Sequence, residues 1–189
     1  EIKAIAQVTK QGFTYVFDRA TGVPVWPIIE RAVPAATIPG ERASPTQPFP
    51  TKPPAFALQG LTEDDLIDFT PQLRAEAVQR LQNFTYGPLF TPPSLPQDNK
   101  RGTILMPGAG GGANWTGAGI DPESGVLFVP SRDSATVPRM GTLDGDESNF
   151  NYFRLNFLGV AGPQGLPILK PPYSTITAFD MNSGEILWR

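Results

Sequence analysis

A lysine in a short turn and a polar pair after a glycine run are the side chains best suited to chemistry. Lys10 lies in the turn 9–12, where a fixed ammonium could stabilise negative charge developing on a bound group. Asn114 and Trp115 follow the glycine-rich run 108–113. Glycine lets a backbone approach a flat ligand, asparagine both donates and accepts hydrogen bonds, and an indole offers a ring face and an N–H. The residues alone leave two alternatives open, a solvated loop lysine and a buried tryptophan in a tight turn.

The composition excludes several classes of catalytic site. The 189 residues include no cysteine and no histidine, which rules out disulfides, thiolate nucleophiles, Ser-His-Asp triads, haem ligation and nearly all catalytic zinc sites. Fifteen basic side chains against 18 acidic ones give a net charge of −3, which argues against a nucleic-acid groove or a polybasic membrane surface. Any chemistry must use the remaining polar side chains or a bound cofactor.

Proline and glycine shape the expected architecture. The 22 prolines and 19 glycines make up 41 of 189 residues, roughly 22% against a usual share of about 12%. Because 40% of the residues are still hydrophobic, the sequence predicts a globular chain rich in loops rather than a disordered one. Long ordered loops are expected at 24–58, 88–97 and 137–170.

Helical periodicity is confined to one part of the sequence. Thr62 is a candidate N-cap followed by three acidic residues, and Pro71 opens the stretch 72–84, whose apolar residues recur every three or four positions. We therefore expect one helical insertion between Thr62 and Phe84. Short apolar segments bounded by turn residues predict antiparallel strands at 5–8, 13–17, 103–106, 126–130 and 175–179.

A strand–turn–strand repeat is the most informative pattern. Two copies read Asp, three residues, Gly, three residues, Trp, and a third copy ends in valine; they span 17–26, 179–188 and 120–129. The aspartate can accept turn N–H groups and the glycine supplies positive φ, so Asp18, Asp121 and Asp180 are interpreted as turn residues rather than an acid–base cluster. The repeat predicts a radial array such as a β-propeller, in which Trp26 and Trp188 pack against neighbouring sheets. A β-sandwich whose hairpins all use such turns is the alternative.

Five segments resemble the quinoprotein dehydrogenases, eight-bladed β-propellers that use pyrroloquinoline quinone (PQQ). Residues 178–188 resemble their tryptophan-docking motif, and 9–22 resemble their Lys-x-Gly…Leu-Asp-Arg-x-x-Gly segment. The pair 43–49 and 87–94 resembles loops of the membrane glucose dehydrogenase branch, and 111–117 followed by Asp-Pro resembles a Gly-Gly-x-Asn-Trp stretch that reaches the cofactor. The resemblance implies an all-β fold: residues 1–189 would be a fragment of a single propeller domain, about three of eight blades, with a helical and loop insertion at about 27–100.

The resemblance also implies roles for the residues singled out above. Lys10 would point at the quinone oxygens of PQQ, and Asn114 and Trp115 would bind the same cofactor. The catalytic aspartate and the Ca²⁺ ligands of the family would lie before Glu1 or further upstream, so no catalytic or metal-binding residue is assigned within this chain. We expect the chain alone to lack dehydrogenase activity and to associate with its missing blades or with another copy of itself.

The resemblance further implies what the parent protein does. It would oxidise a sugar or alcohol CH–OH group in the bacterial periplasm and pass electrons through PQQ to a respiratory acceptor, a quinone or a cytochrome. Any membrane anchor would lie outside this chain. The alternative function is a non-catalytic propeller that serves as a scaffold or binding protein and uses the same tryptophan repeats, because fold alone does not separate the two.

Overall fold

The computed structural model describes residues 2–114, 117–143 and 149–189. Within them the fold is all-β with one α-helix, and the sheets are antiparallel. The elements in chain order are β1 (Ala4–Val8), β2 (Thr14–Asp18), β3 (Ile28–Ala32), β4 (Thr46–Pro50), α1 (Pro71–Leu81), β5 (Gly119–Asp121), β6 (Val126–Arg132), β7 (Thr136–Thr142), β8 (Tyr152–Gly159), β9 (Ser174–Asp180) and β10 (Glu185–Trp188).

One four-stranded sheet has the composition of a propeller blade. Its order is β10-β9-β6-β5, so the hairpin repeats 120–129 and 179–188 lie side by side and β6 pairs with β9 over seven residues. Alternate side chains of β6 and β9 point into one core, as the period of a strand requires. This blade core consists of Val8, Phe56, Ala57, Ala113, Leu127, Val129 and Phe179.

A second sheet contains the first copy of the repeat. Strands β1 and β2 pair from Ala4–Asp18 to Val8–Thr14, and the chain then turns back so that Val25 N–H donates to the Val16 carbonyl at 2.9 Å. The segment after the turn thus makes an isolated antiparallel bridge, Pro24 to Phe17, beside the two-stranded sheet. A partial β-propeller, the expected fold class, matches this pair of sheets built from one repeated hairpin.

The two repeat tryptophans have different environments. A Cβ on Gly184 would lie 2.9 Å from Cζ2 of Trp26, so Trp26, in the bend that follows the second sheet, packs against the last turn of the four-stranded sheet, as expected. Trp188 is 51% exposed, and its ring contacts Phe128 of its own sheet at a centroid distance of 6.0 Å. The prediction that Trp188 packs against a neighbouring sheet is therefore wrong for the described residues. Lys52, in the bend after β4, contacts the same last turn region through a 2.6 Å salt bridge to Glu185.

The helix begins as the sequence predicts and ends earlier. Thr70 Oγ1 accepts from Leu73 N–H at 3.1 Å, and Pro71 is the first helical residue. A 3₁₀ turn, Glu63–Asp65, precedes it. The helix ends at Leu81 rather than at Phe84, although Phe84 is buried in the same cluster. This helix core consists of Leu61, Leu66, Ile67, Ala77, Leu81, Phe84, Ile104, Met106, Ala135, Val137, Ile168 and Leu169.

Three local predictions are wrong. The expected loops 24–58 and 137–170 contain two-stranded ribbons, β3 with β4 and β7 with β8. Prolines are tolerated there because every second residue of a ribbon directs its N–H away from the partner strand. The predicted strand 103–106 instead makes isolated bridges, Thr103 to Thr85 and Leu105 to Thr136. No helix in the described part of the chain is long and apolar enough to cross a membrane.

Candidate cofactor site

Lys10 lies at the tip of the β1–β2 hairpin. Thr9 N–H donates to the Phe13 carbonyl at 2.9 Å, and Gly12 N–H donates to the Thr9 carbonyl at 3.1 Å. Gly12 has φ +82°, a conformation that side chains other than glycine rarely adopt. Thr9 Oγ1 also bonds to the Phe13 backbone at 3.1 Å. The Thr-Lys-Gln-Gly sequence therefore closes a tight turn and holds the lysine backbone in a fixed place.

The glycine run packs directly on this lysine. Gly112 N–H donates to the Lys10 carbonyl at 2.8 Å. A Cβ on Gly111, whose φ is +81°, would lie 2.6–2.7 Å from Cα, Cβ and Cγ of Lys10, which no real side chain could tolerate. The ammonium group of Lys10 donates to the Ala109 carbonyl at 3.3 Å. The glycines are thus required for the approach that brings the lysine turn and residues 108–114 together.

The same run is tied to the end of β6. Arg132 N–H donates to the Gly112 carbonyl at 2.8 Å, so Gly112 bonds to Lys10 on one side and to Arg132 on the other. Three segments distant in sequence therefore converge at one end of the four-stranded sheet: the Lys10 turn, the glycine run and the β6 terminus.

An open cleft of about 530 Å³ lies at this convergence, within the size range of ligand sites. Asn114 lines it and is exposed, whereas Lys10 borders it through its contact with Gly111. Trp115 lies outside the described residues. The remaining lining residues are Gly110, Gly111, Gly112, Ala113, Pro130, Ser131, Arg132, Ser134, Ser174, Thr175 and Ile176.

The cleft includes polar residues that the sequence patterns did not indicate. Ser131 and Thr175 are opposite each other in the β6–β9 register, and their hydroxyl oxygens are 2.7 Å apart. Ser174 pairs with Arg132 one position further along. The strands that bring them together are separated by about forty residues, and no local signal specifies that pairing.

The three repeat aspartates have a structural role. Asp18 accepts from the N–H groups of Thr21 and Ala20, and these bonds lower the pKa of its carboxyl. The pKa of Asp121 is lowered mainly by the Ser124 hydroxyl, and that of Asp180 mainly by the Asn182 N–H. Each is followed four positions later by a glycine with φ between +71° and +74°. The interpretation of these aspartates as turn residues is confirmed.

Asp133 is the carboxylate nearest to the cleft in sequence, and its side chain is bonded elsewhere. Its Oδ1 accepts from the Leu58 N–H at 3.0 Å. Burial raises the pKa of Asp133, a shift opposed by this hydrogen bond. It therefore ties the loop at Leu58 to the β6–β7 connection. In the described ranges, no group of three or more acidic side chains could hold a metal ion.

Comparison with known proteins places the chain in a family. Residues 1–189 match the family described as "PQQ: Glucose/ethanol/alcohol dehydrogenase, beta-propeller domain". The glycerol dehydrogenase large subunit of Gluconobacter thailandicus is 31% identical over 215 residues, which cover 100% of this chain and 28% of that protein.

Two further relatives cover nearly the same region. The quinate/shikimate dehydrogenase (quinone) of Acinetobacter baylyi is 28% identical, with 98% of this chain and 25% of the relative covered. Quinoprotein glucose dehydrogenase A of Acinetobacter calcoaceticus is 27% identical, with 100% and 25% covered. The chain thus spans about a quarter of the length of these relatives, and it belongs to the PQQ-dependent dehydrogenase family as part of its β-propeller domain.

Proposed function

We propose that this chain forms one side of the PQQ site in a periplasmic dehydrogenase that oxidises a sugar or alcohol CH–OH group. The observation that carries the proposal is the packing of Gly111 and Gly112 on Lys10. This packing places the lysine beside a cleft that is lined on one side by glycine backbone. PQQ is a planar quinone with three carboxylates, and a flat anion suits a site with a close backbone, a fixed ammonium and hydroxyl donors.

The roles of the residues follow from their chemistry. Lys10, borne on a rigid turn, would hold positive charge next to the quinone oxygens, where negative charge develops during reduction. Asn114 would donate and accept hydrogen bonds at the edge of the cofactor, and Trp115 would provide a ring face or an N–H. Bound PQQ would supply the two-electron acceptor, and the protein would bind and polarise it.

The remaining parts of the reaction are assigned to sequence outside this chain. The proton-accepting aspartate, the Ca²⁺ ligands and any membrane attachment would belong to the rest of the propeller and its flanking regions, and the electrons would pass to a quinone or cytochrome. We therefore expect the 189-residue chain alone to show no turnover of glucose or simple alcohols with an artificial electron acceptor. Turnover that Lys10→Ala abolishes would contradict this expectation.

The test is a PQQ titration of the full-length protein, with and without Ca²⁺, followed by quinone absorbance. Lys10→Ala should weaken PQQ binding by roughly tenfold or more, as expected for losing a charge-assisted contact, while Lys10→Arg should retain part of the affinity. Lys3→Ala is the matched control, because Lys3 is an exposed lysine before β1 on the other side of the hairpin. No spectral change at high PQQ would instead favour the non-catalytic scaffold.

A further inference from the structure

The cleft at the ends of β6 and β9 has an unbalanced positive charge. The described residues of its lining include one guanidinium, four hydroxyl side chains and no carboxylate, although the chain as a whole carries a net charge of −3. Lys10 adds a second cation at the border, on the far side of Gly111. A cleft of this kind favours an anionic ligand over a neutral or cationic one.

Arg132 is the guanidinium of this cleft. Its backbone is fixed by the 2.8 Å bond from its N–H to the Gly112 carbonyl and by pairing with Ser174 at the end of the β6–β9 ladder. Its side chain is exposed. Among the residues that the structure describes, no carboxylate oxygen lies within 4.0 Å of its nitrogens.

The neighbouring groups leave this arginine available. Asp133, adjacent in sequence, directs its carboxylate to the Leu58 N–H rather than to the cleft. Ser131 and Thr175 bond to each other at 2.7 Å, and Ser131 Oγ also donates to the Phe56 carbonyl at 3.3 Å. The β-sheet and the glycine run therefore hold the backbone of Arg132, and among the described residues no carboxylate pairs with its guanidinium.

We propose that Arg132 binds a carboxylate that enters this cleft, which extends the proposed function from Lys10 to a second cationic contact. A guanidinium presents a planar fork of N–H donors that matches a carboxylate bidentately, and such pairs are the strong form of hydrogen bond. The carboxylate comes either from PQQ or from an acidic substrate or product, and both sources present the same group to Arg132.

The experiment uses the full-length protein with Arg132→Gln and Arg132→Lys. Arg19→Gln is the matched control, since Arg19 is exposed in the turn at the opposite end of β2. The first arm measures the dissociation constant of PQQ by fluorescence titration. The second measures binding of glycerate and of glycerol by equilibrium dialysis, with and without PQQ, so that a carboxylate ligand is compared with a neutral one of similar size.

The arms distinguish the two sources. If the carboxylate belongs to PQQ, Arg132→Gln weakens PQQ binding about tenfold or more and Arg132→Lys weakens it less. If it belongs to substrate or product, PQQ binding is unchanged, while glycerate binding falls about tenfold and glycerol binding stays constant. Unchanged affinities for both PQQ and glycerate, relative to Arg19→Gln, would overturn the proposal. Failure of the unsubstituted protein to bind PQQ would refute the proposed function, and the glycerate arm would still test Arg132.

Discussion

The blade core and the helix core are assembled in different ways. Three of the seven blade-core residues lie on paired strands of the repeated hairpin, where alternate residues point inward, and the other four come from β1 and from loops. The helix core combines residues from α1 with single positions from loops and bridges between residues 61 and 169. The candidate site adjoins the blade core, because Ala113 of the glycine run is one of the blade-core residues. The candidate site is thus built against the core of the four-stranded sheet rather than against the helix core.

Substitutions in the two cores should therefore separate stability from cofactor binding. Phe179→Ala should cost about 3–5 kcal/mol of unfolding free energy, and Leu81→Ala about 2–5 kcal/mol, because both side chains are fully buried. Phe179→Ala should also weaken PQQ binding, since Phe179 packs in the core that includes Ala113, whereas Leu81→Ala should leave it unchanged. Denaturant unfolding and PQQ titration of the full-length protein measure both quantities.

Leu187→Ala is the control for this comparison, because Leu187 is 53% exposed and should change stability by no more than about 0.5 kcal/mol. Equal effects of Phe179→Ala and Leu81→Ala on PQQ affinity would show that the two cores do not act separately.

The two repeat tryptophans provide a comparison within the blades. Trp26→Ala should cost about 1–3 kcal/mol, because the ring packs on Gly184 and only part of it is exposed. Trp188→Ala should cost less in the 189-residue chain, where half of the side chain is exposed. The measurement is the unfolding midpoint of each variant in this chain. A larger loss for Trp188→Ala would contradict the observed docking of Trp26.

Asp133 connects the two regions. Asp133→Ala should cost about 1–3 kcal/mol, because it leaves the Leu58 N–H without its acceptor. Asp133→Asn keeps an oxygen that can accept from Leu58 N–H and removes a carboxylate whose charged form burial disfavours, as the raised pKa of Asp133 indicates. The free energy of unfolding at neutral pH should therefore be unchanged or higher. Urea unfolding at pH 7 compares the pair. A loss with asparagine equal to that with alanine would mean that the charge, not the hydrogen bond, is important.

The turn aspartates should give the smallest effect, seen as a pH dependence. Hydrogen bonds lower the folded-state pKa of Asp180 below its ordinary value of 3.8. The ionised Asp180 carboxylate therefore stabilises the folded chain above pH 3.8. This stabilisation is lost as the pH falls from 3.8 through the lower folded-state pKa. Asp180→Asn should reduce stability at pH 7 and lessen the further loss in acid.

Asp68→Asn is the control for Asp180→Asn. Asp68 is exposed and lies outside the repeated turns. If both variants show the same pH dependence of the urea midpoint, the repeated aspartates do not stabilise their turns.

The contrast between the cores also explains how much could be predicted from sequence. The hairpins at Asp18, Asp121 and Asp180 were predictable because Asp-x-x-x-Gly acts through hydrogen bonds within five residues. The helix start at Pro71 was predictable from an equally local signal, whereas the predicted N-cap was Thr62 and the N-cap of α1 is Thr70. The ribbons β3–β4 and β7–β8 were not predictable. Their proline-containing segments have low intrinsic strand propensity, and their pairing is decided by tertiary contacts.

The candidate site divides in the same way. Lys10 could be selected because it lies in a turn, and Asn114 because it follows a glycine run. Both segments also match motifs of the family. Ser131, Arg132 and Thr175 could not, because they enter the cleft through the long-range pairing of β6 with β9. When a residue's position depends on the pairing of two strands that are distant in sequence, the sequence around that residue does not reveal its position.

The most direct test of the account is the PQQ dissociation constant of Gly111→Ala against that of Gly119→Ala in the full-length protein. A Cβ at Gly111 would overlap Lys10, whereas one at Gly119 would meet no atom within 4 Å. We expect Gly111→Ala to weaken PQQ binding by about tenfold or more, while Gly119→Ala leaves it near that of the unsubstituted protein. A folded Gly111→Ala protein that binds PQQ with unchanged affinity would contradict the claim that the Lys10–glycine contact forms the cofactor site.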